Sequence, residues 1–354
     1  MTVRFPLILL QIGLVLVLAP VRKLNAQKNS FRVVCVSFYN LENLFDTLDH
    51  PDKRDEDFTP DGLLAWTGAK YEKKLDNMAS VIELIGKEYT EDGPAILGVA
   101  EIENKAVLED LVKRPAIASR RYQIEHYESP DFRGIDVALL YNPKYFRVLS
   151  SKPVPMKMLN SEGEPLITRE LLYVKGILDG DTTHIMVNHW PSRRGGEAAT
   201  RPLREGCAAI NKKMADSIAA EQPGAKIIIM GDMNDNPNNT SMQLVLNAKK
   251  KANALGENDF YNPYYQMFSK GFGTLAYQDS WSLFDQIVLS SGYVSGKTRE
   301  NKYQYYKAGI VNMPFMQQKT GRFKGYPFRT FDGENFIEGF SDHFPVYIIL
   351  LKVL

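Results

Sequence analysis

The chain has 354 residues, 44% hydrophobic and 24% charged, with a formal net charge of +1. That length and mix can bury a sizeable core and exclude a globally disordered chain. Near neutrality excludes attraction of a polyanion by the whole molecule, so any basic surface must come from local clustering of Lys and Arg.

At the N-terminus, Arg4, the apolar stretch 7–18 and the small-residue end at 24–26 predict an export signal over residues 1–26, cut after Ala26. The apolar stretch is shorter than the ~20 residues of a membrane span. The remainder, 27–354, is expected to be one domain, periplasmic or secreted, since no later segment reads as transmembrane and no Pro/Gly/Ser-rich linker divides it. Residues 33–39 read as a strand, 70–88 as an amphipathic helix, 95–100 as a strand and 105–112 as a helix. A strand-rich middle follows at 122–127, 135–141, 145–150, 171–178 and 184–187. A helix over 198–220 precedes a strand at 227–230, and the runs 284–289 and 344–351 complete the set. This alternation predicts sheets covered by helices. Cys35, in an apolar strand pattern, reads as a buried thiol, and spacing leaves open whether it pairs with Cys207.

Run after run ends in a polar residue that chemistry can use. The first strand leads into Asn40, "AILGVAE" ends in Glu101, "HIMVNHW" carries Asn188 and His189, and "IIIMGDMN" supplies Asp232 and Asn234. Farther on, "LFDQIVL" places Asp285 at a strand start, and "GFSDHFPV" sets Asp342 and His343 just before the last apolar run. Taken singly, each has a plain structural reading: an Asx-capped turn for Asp232 and Asn234, a core imidazole for His189, a surface turn for Asp342 and His343. Taken together, ends that converge on one edge of packed sheets build a rigid cleft of carboxylates, imidazoles and amides. Oxygen donors in a chain with only 5 His and 2 Cys suit Mg²⁺ or Mn²⁺ better than zinc. Gathered acids repel one another, which raises some of their pKa values and leaves a proton acceptor in place. A hard metal, a base and Asn/His donors match phosphoester cleavage.

The ordered set "FYNLENLF", "GVAEIEN", "RGIDVALLYNP", "TRELLYV", "VNHWPSRRGG", "GDMNDNP", "FDQIVL" and "SDHFPV" resembles the endonuclease/exonuclease/phosphatase superfamily, which includes deoxyribonuclease I and exonuclease III. "NHWPSRRGG" with "NLENLFD" is similar to its exported bacterial, nuclease-like members. The resemblance implies an α/β fold, a four-layer α-β-β-α sandwich of two mostly antiparallel sheets face to face. It implies Glu101 as the principal metal carboxylate, assisted by Asn40 and Asp342. Asp232 would orient or deprotonate the attacking water, Asn234 would hold the same phosphate, and His189 would stabilise the leaving side. His343, oriented by Asp285, would serve a nonbridging oxygen or act as general acid or base. Substrate-binding candidates are Arg133 and Asp136 in "RGIDVALLY", Arg169 and Glu170 in "TRELLYV", Asn188, and Arg193 and Arg194 in "SRRGG".

The expected activity is divalent-metal-dependent hydrolysis of phosphodiester bonds in nucleic acid by a monomer. The alternatives are a phosphatase or phospholipase C-type enzyme on inositol phosphates or phospholipid head groups, and an inactive binding module on the same fold. Residues 297–330 depart from compact family members: Lys and Arg alternate with aromatics such as Tyr305, Phe323 and Tyr326. That pattern fits either a wall of a nucleic-acid groove or a structured loop packing its own aromatics.

Overall fold

The computed structural model describes residues 30–159, 163–294 and 302–354, so the expected export signal lies outside the described residues, as do Lys297 and Arg299. β1 (Phe31–Leu44), β2 (Pro94–Ile102), β3 (Gln123–His126) and β4 (Asp136–Tyr141) join two late strands in a six-stranded sheet. Its order is Gln304–Ile310, Val346–Val353, β1, β2, β4, β3. A seven-stranded sheet contains β5 (Phe146–Val154), β6 (Leu171–Leu178), β7 (Asp181–His189) and β8 (Lys226–Asp232), followed by Asp285–Ser290, Phe260–Tyr261 and Ala248–Lys249. Both sheets are mostly antiparallel, with β1 against β2 and β7 against β8 as the long parallel pairs.

Three apolar layers hold four structural layers together. Val36 and Phe38 of β1, Ile96 of β2, Val187 of β7, Met230 of β8 and Ile287 pack between the two sheets. The opposite face of the first sheet, with Cys35, Tyr39 and Leu97, packs on α1 (Gly68–Leu84) and α2 (Lys105–Val112). The opposite face of the second sheet, with Met186, Ile227 and Ile229, packs on α3 (Glu197–Glu221). The result is the α-β-β-α sandwich that the resemblance implied. Because both faces of each central strand are covered, the strands read as continuous apolar runs instead of alternating ones. Close approach of the sheets needs Gly98, where a Cβ would stand 2.6 Å from the Met230 sulfur.

Some bounds differ from those expected. α1 stops at Leu84 because Ile85 is extended and Gly86 has φ +71, with Cys35 Sγ 2.6 Å from where a Cβ would be. β7 extends three residues before and two beyond the 184–187 run, through polar Asn188 and His189, since ladder pairing to β8 does not depend on apolar side chains. Cys35 and Cys207 are both buried free thiols in different apolar layers. Among the described residues, no helix is long and apolar enough to cross a membrane.

Candidate active site

Side-chain alternation along the strands carries four polar residues to one end of the gap between the sheets. Asn40 lies two residues beyond Phe38, His189 two beyond Val187, Asp232 two beyond Met230, and Asp285 two before Ile287; each apolar partner belongs to the inter-sheet core. Ladder register sets His189 opposite Asp232, and Asp232 opposite Asp285. Ile227 to Met230 are at most 2% exposed. Burying four such side chains contributes on the order of 10 kcal/mol before ordering entropy is subtracted, enough to hold the strand end rigid. Gly231 lets β8 close on β7, since a Cβ there would lie 2.2 Å from the Asn188 carbonyl oxygen.

Glu101 arrives by a different route. Alternation alone would send it toward the helices with Val99, but the β2 ladder shifts register between Ala100 and Ile102, and Glu101 adopts φ +58. The bulge re-aims its carboxylate into the inter-sheet end. Glu42, Asn43 and Asn234 also have left-handed backbones, with φ +49, +51 and +48. Such conformations cost about 1–3 kcal/mol each for residues with a Cβ, and they collect where positioning matters.

Asp232 is the hub. Asn40 Nδ2 donates to Asp232 Oδ2 at 3.2 Å and to Glu101 Oε1 at 3.3 Å. His189 Nε2 lies 3.6 Å from Asp232 and 3.8 Å from Glu101, and His343 Nε2 lies 3.9 Å from Asp232. The Asn234 backbone N–H donates to Asp232 Oδ1 at 2.9 Å, while the Asn43 N–H donates to Glu101 Oε2 at 3.1 Å. His343 Nδ1 meets Asp285 Oδ2 at 2.7 Å. Asp342 lies 3.9 Å from His343 Nε2 and accepts from Arg329 Nη2 at 3.0 Å. Asp232, Asp285 and His343 together place three possible ligand atoms within 4.8 Å of one another.

Burial, with Asp285 and Glu101 adding to it against His343, pushes Asp232 up to about 7. The two imidazoles move apart. Burial works against charge on His343, but Asp285, then Asp232 and Asp342, outweigh it and raise it well above the ordinary histidine value. Burial, then the positive charges of Arg169, Arg133 and His343, pull His189 well below it. One end of the sandwich thus holds a charged imidazole, a neutral one and a proton-accepting carboxylate, the separation expected of acid and base partners. His189 Nδ1 and Asp285 Oδ1 are buried with no hydrogen-bond partner among the described residues, which is uncommon away from functional sites.

The remaining candidates divide between the rim and the scaffold. Arg133 donates at 2.7 Å to Oδ1 of Asn43, the residue whose N–H contacts Glu101. Arg169 is spent on Asp131 and the Trp190 carbonyl, both at 3.0 Å. Asp136 meets His126 Nε2 and accepts from the Ser129 N–H, each at 3.0 Å. Half-buried Glu170 lines a cavity of about 390 Å³ with Met156 and Thr168. Asn188 faces the other way: its amide bonds Asn211 of α3 and accepts from Trp190 Nε1, so the structure does not bring it to the group. Arg193 clamps the Asn234 carbonyl, Asp235 and Glu197 at 2.8–3.0 Å and is committed to holding that loop, whereas Arg194 is exposed beside it. The Asn234 side-chain nitrogen donates to the Trp190 carbonyl at 2.9 Å.

A polar cluster at the rim had no sequence signal beyond an acid two residues after Asn40. Glu42 accepts from the Thr330 N–H and hydroxyl at 2.8 Å and lies 3.7 Å from the fully buried Lys74 and 3.5 Å from Arg329. Burial, with Asp342 adding to it, pushes Glu42 up to about 7 against those cations.

Residues 35–352 match the profile described as the Endonuclease/Exonuclease/phosphatase family. No curated protein matches the chain significantly. Among solved structures, D. rerio TDP2 complexed with a single-strand DNA product is similar, with TM-score 0.53 and 16% identity over 90% of this chain and 98% of that one. So is a mannosyl-6-phosphatase of Bacteroides thetaiotaomicron, with TM-score 0.52 and 14% identity over 90% of this chain and 99% of that one. An endonuclease/exonuclease/phosphatase family protein of the same bacterium gives TM-score 0.53 and 13% identity over 92% and 100% of the two chains. At these identities the likeness establishes the fold. The chain belongs to the endonuclease/exonuclease/phosphatase family, whose members are hydrolases of phosphoester bonds and typically need a divalent metal.

Proposed function

We propose that this chain, exported and processed to residues 27–354, hydrolyses phosphodiester bonds in nucleic acid with Mg²⁺ or Mn²⁺. The observation that carries the reading is the convergence on Asp232 of Asn40, His189, His343 and the Asn234 N–H, each within 3.9 Å. Glu101 and Asp232 meet at the single Asn40 amide, and such hard oxygen donors fit a divalent cation. Glu101 would hold it, with Asn40 and Asp342 assisting, and when bound it would neutralise and polarise the phosphoryl oxygens.

Each protein group then has one task. Asp232, pushed up to about 7 and therefore basic, takes a proton from the attacking water. Charged His343, fixed by Asp285 at 2.7 Å, donates from Nε2 to a nonbridging oxygen. Neutral His189 supports the leaving side, and Asn234 keeps Asp232 aligned through its backbone N–H. Arg133, which donates to Asn43 Oδ1 at the rim, would contact the phosphate.

The test offers the purified protein, with Mg²⁺ or Mn²⁺, plasmid DNA, single-stranded DNA, RNA, inositol phosphates, mannose 6-phosphate and sphingomyelin in parallel. Cleavage of nucleic acid is the expected result. Turnover restricted to phosphomonoesters would replace the substrate class, turnover of sphingomyelin would point to a phospholipase, and no turnover of any substrate would leave a binding module.

A further inference from the structure

Residues 311–331 carry four cationic side chains, Lys319, Arg322, Lys324 and Arg329, and no acid. The segment folds back on itself: the Gln318 N–H donates to the Tyr326 carbonyl at 2.8 Å, and the Gly325 N–H returns to the Gln318 carbonyl at 2.9 Å. Part of its aromatic content is structural, since Phe315 and Phe328 both pack on Phe340. Another part forms a ladder that starts beside the catalytic group. Phe344, next in the chain to His343, stacks on Trp281 at 6.2 Å and 18°. Trp281 meets Tyr326 at 5.7 Å, and Tyr326 meets Phe323 at 5.6 Å.

Exposure rises along this ladder, from 1% at Phe344 through partly exposed Trp281 and Tyr326 to 47% at Phe323. Cations stand at both ends. Arg329, half exposed, contacts Asp342 at 3.0 Å, and the Arg322 guanidinium lies 5.8 Å from the Phe323 ring centre. Asp279 holds the Tyr326 hydroxyl at 2.9 Å and lies 3.5 Å from Arg322. That last pair is exposed on both sides and contributes little, so Arg322 can turn to a phosphate. Exposed aromatic faces between cations are what single-stranded nucleic acid uses, because every base has a face to stack and its phosphates seek positive charge.

We propose that this ladder is a stacking track for single-stranded nucleic acid, leading the strand from the catalytic end with bases on Trp281, Tyr326 and Phe323 and phosphates on Arg329 and Arg322. It rests on the nucleolytic reading and sharpens it, because bases paired inside a duplex are not available for stacking. Single strands therefore bind more tightly than duplexes of the same length.

The chain has three tryptophans, and Trp66 and Trp190 are at most 1% exposed, so Trp281 is the one a base can reach. The experiment uses the Asp232→Asn protein with Mg²⁺ to suppress turnover, titrated with a single-stranded oligodeoxynucleotide, its abasic counterpart and its duplex while tryptophan fluorescence is followed. Saturable quenching by the single strand, lost in the added Trp281→Phe change, is expected. Phe323→Ala weakens Kd about fivefold or more, and Arg322→Gln reduces the salt slope of binding by about one. In the otherwise unaltered enzyme, Phe323→Ala leaves turnover of bis(p-nitrophenyl) phosphate unchanged, which shows an intact site. Equal affinity for the abasic strand or the duplex, or an unchanged Kd in Phe323→Ala, overturns the track even if nucleic acid is cleaved. Absence of nucleic-acid cleavage by the native enzyme overturns the nucleolytic reading, and the quenching then decides the track by itself.

Discussion

In the proposed mechanism Asp232 takes the proton, because burial raises it and its neighbours fix its direction. Asp232→Asn and His189→Ala are each expected to lower turnover by about 10²–10⁴-fold, the usual contribution of a positioned proton-transfer group. Asp232→Asn also relieves repulsion from Asp285 and Glu101, so its melting temperature is expected to match or exceed that of the native protein. Steady-state rates and circular dichroism melts check both; near-native rates in either variant would contradict the roles given. Asn40, His189, Asp232 and Asp285 are legible in the sequence because each stands two residues from an inter-sheet apolar residue. The same alternation shows why Asn188 falls on the α3 side: it shares a face with Met186, not with His189. Glu101 required the bulge, and Lys74, Glu42 and Arg329 required tertiary contacts, neither of which local sequence specifies.

At the scale of elements, the ends of β7 and β8 opposite the site are tied by a buried pair. Lys226 Nζ donates to Asp181 Oδ2 at 2.5 Å, the Tyr303 N–H donates to the same oxygen at 2.8 Å, and Lys302 Nζ lies 2.9 Å from the other. Burial would raise Asp181, but these donors hold it below the usual carboxylate value; Lys226 is lowered by its own burial despite the pair. A carboxylate depressed on folding contributes stability that is present above its unfolded pKa of about 3.9 and is lost as pH falls through the folded value. Asp181→Asn strands Lys226 without its counter-ion and is expected to cost about 3–5 kcal/mol at neutral pH. The gap from the native protein narrows below about pH 4, as urea unfolding at both pH values would show. A gap that stays constant would contradict the assignment. The helices were legible from their apolar period, whereas their ends depended on contacts such as Gly86 against Cys35.

At the scale of the whole molecule, the sandwich gathers strand ends that lie far apart in the chain: Asn40 and Asp232 meet 192 residues apart, and Ser341 Oγ reaches the Asn40 carbonyl across 301. Composition and alternation imply sheets under helices, yet strand order, with β1 between β2 and the C-terminal strand, follows from long-range pairing that short windows do not contain. Ordered motifs from Phe38 to Val346 carry the family resemblance without any geometry, and the family profile matches residues 35–352. The substrate depends on the surface around the site, and the exposed Phe323 and Arg322 are what the proposed preference for nucleic acid rests on. The most direct test of the central claim is single-stranded DNA cleavage by native protein and Asp232→Asn, before and after EDTA and after added Mg²⁺ or Mn²⁺. Cleavage by the native protein that EDTA abolishes and either metal restores, with Asp232→Asn about 10²–10⁴-fold slower, is the predicted result; cleavage indifferent to chelation or near the native rate in Asp232→Asn would contradict it.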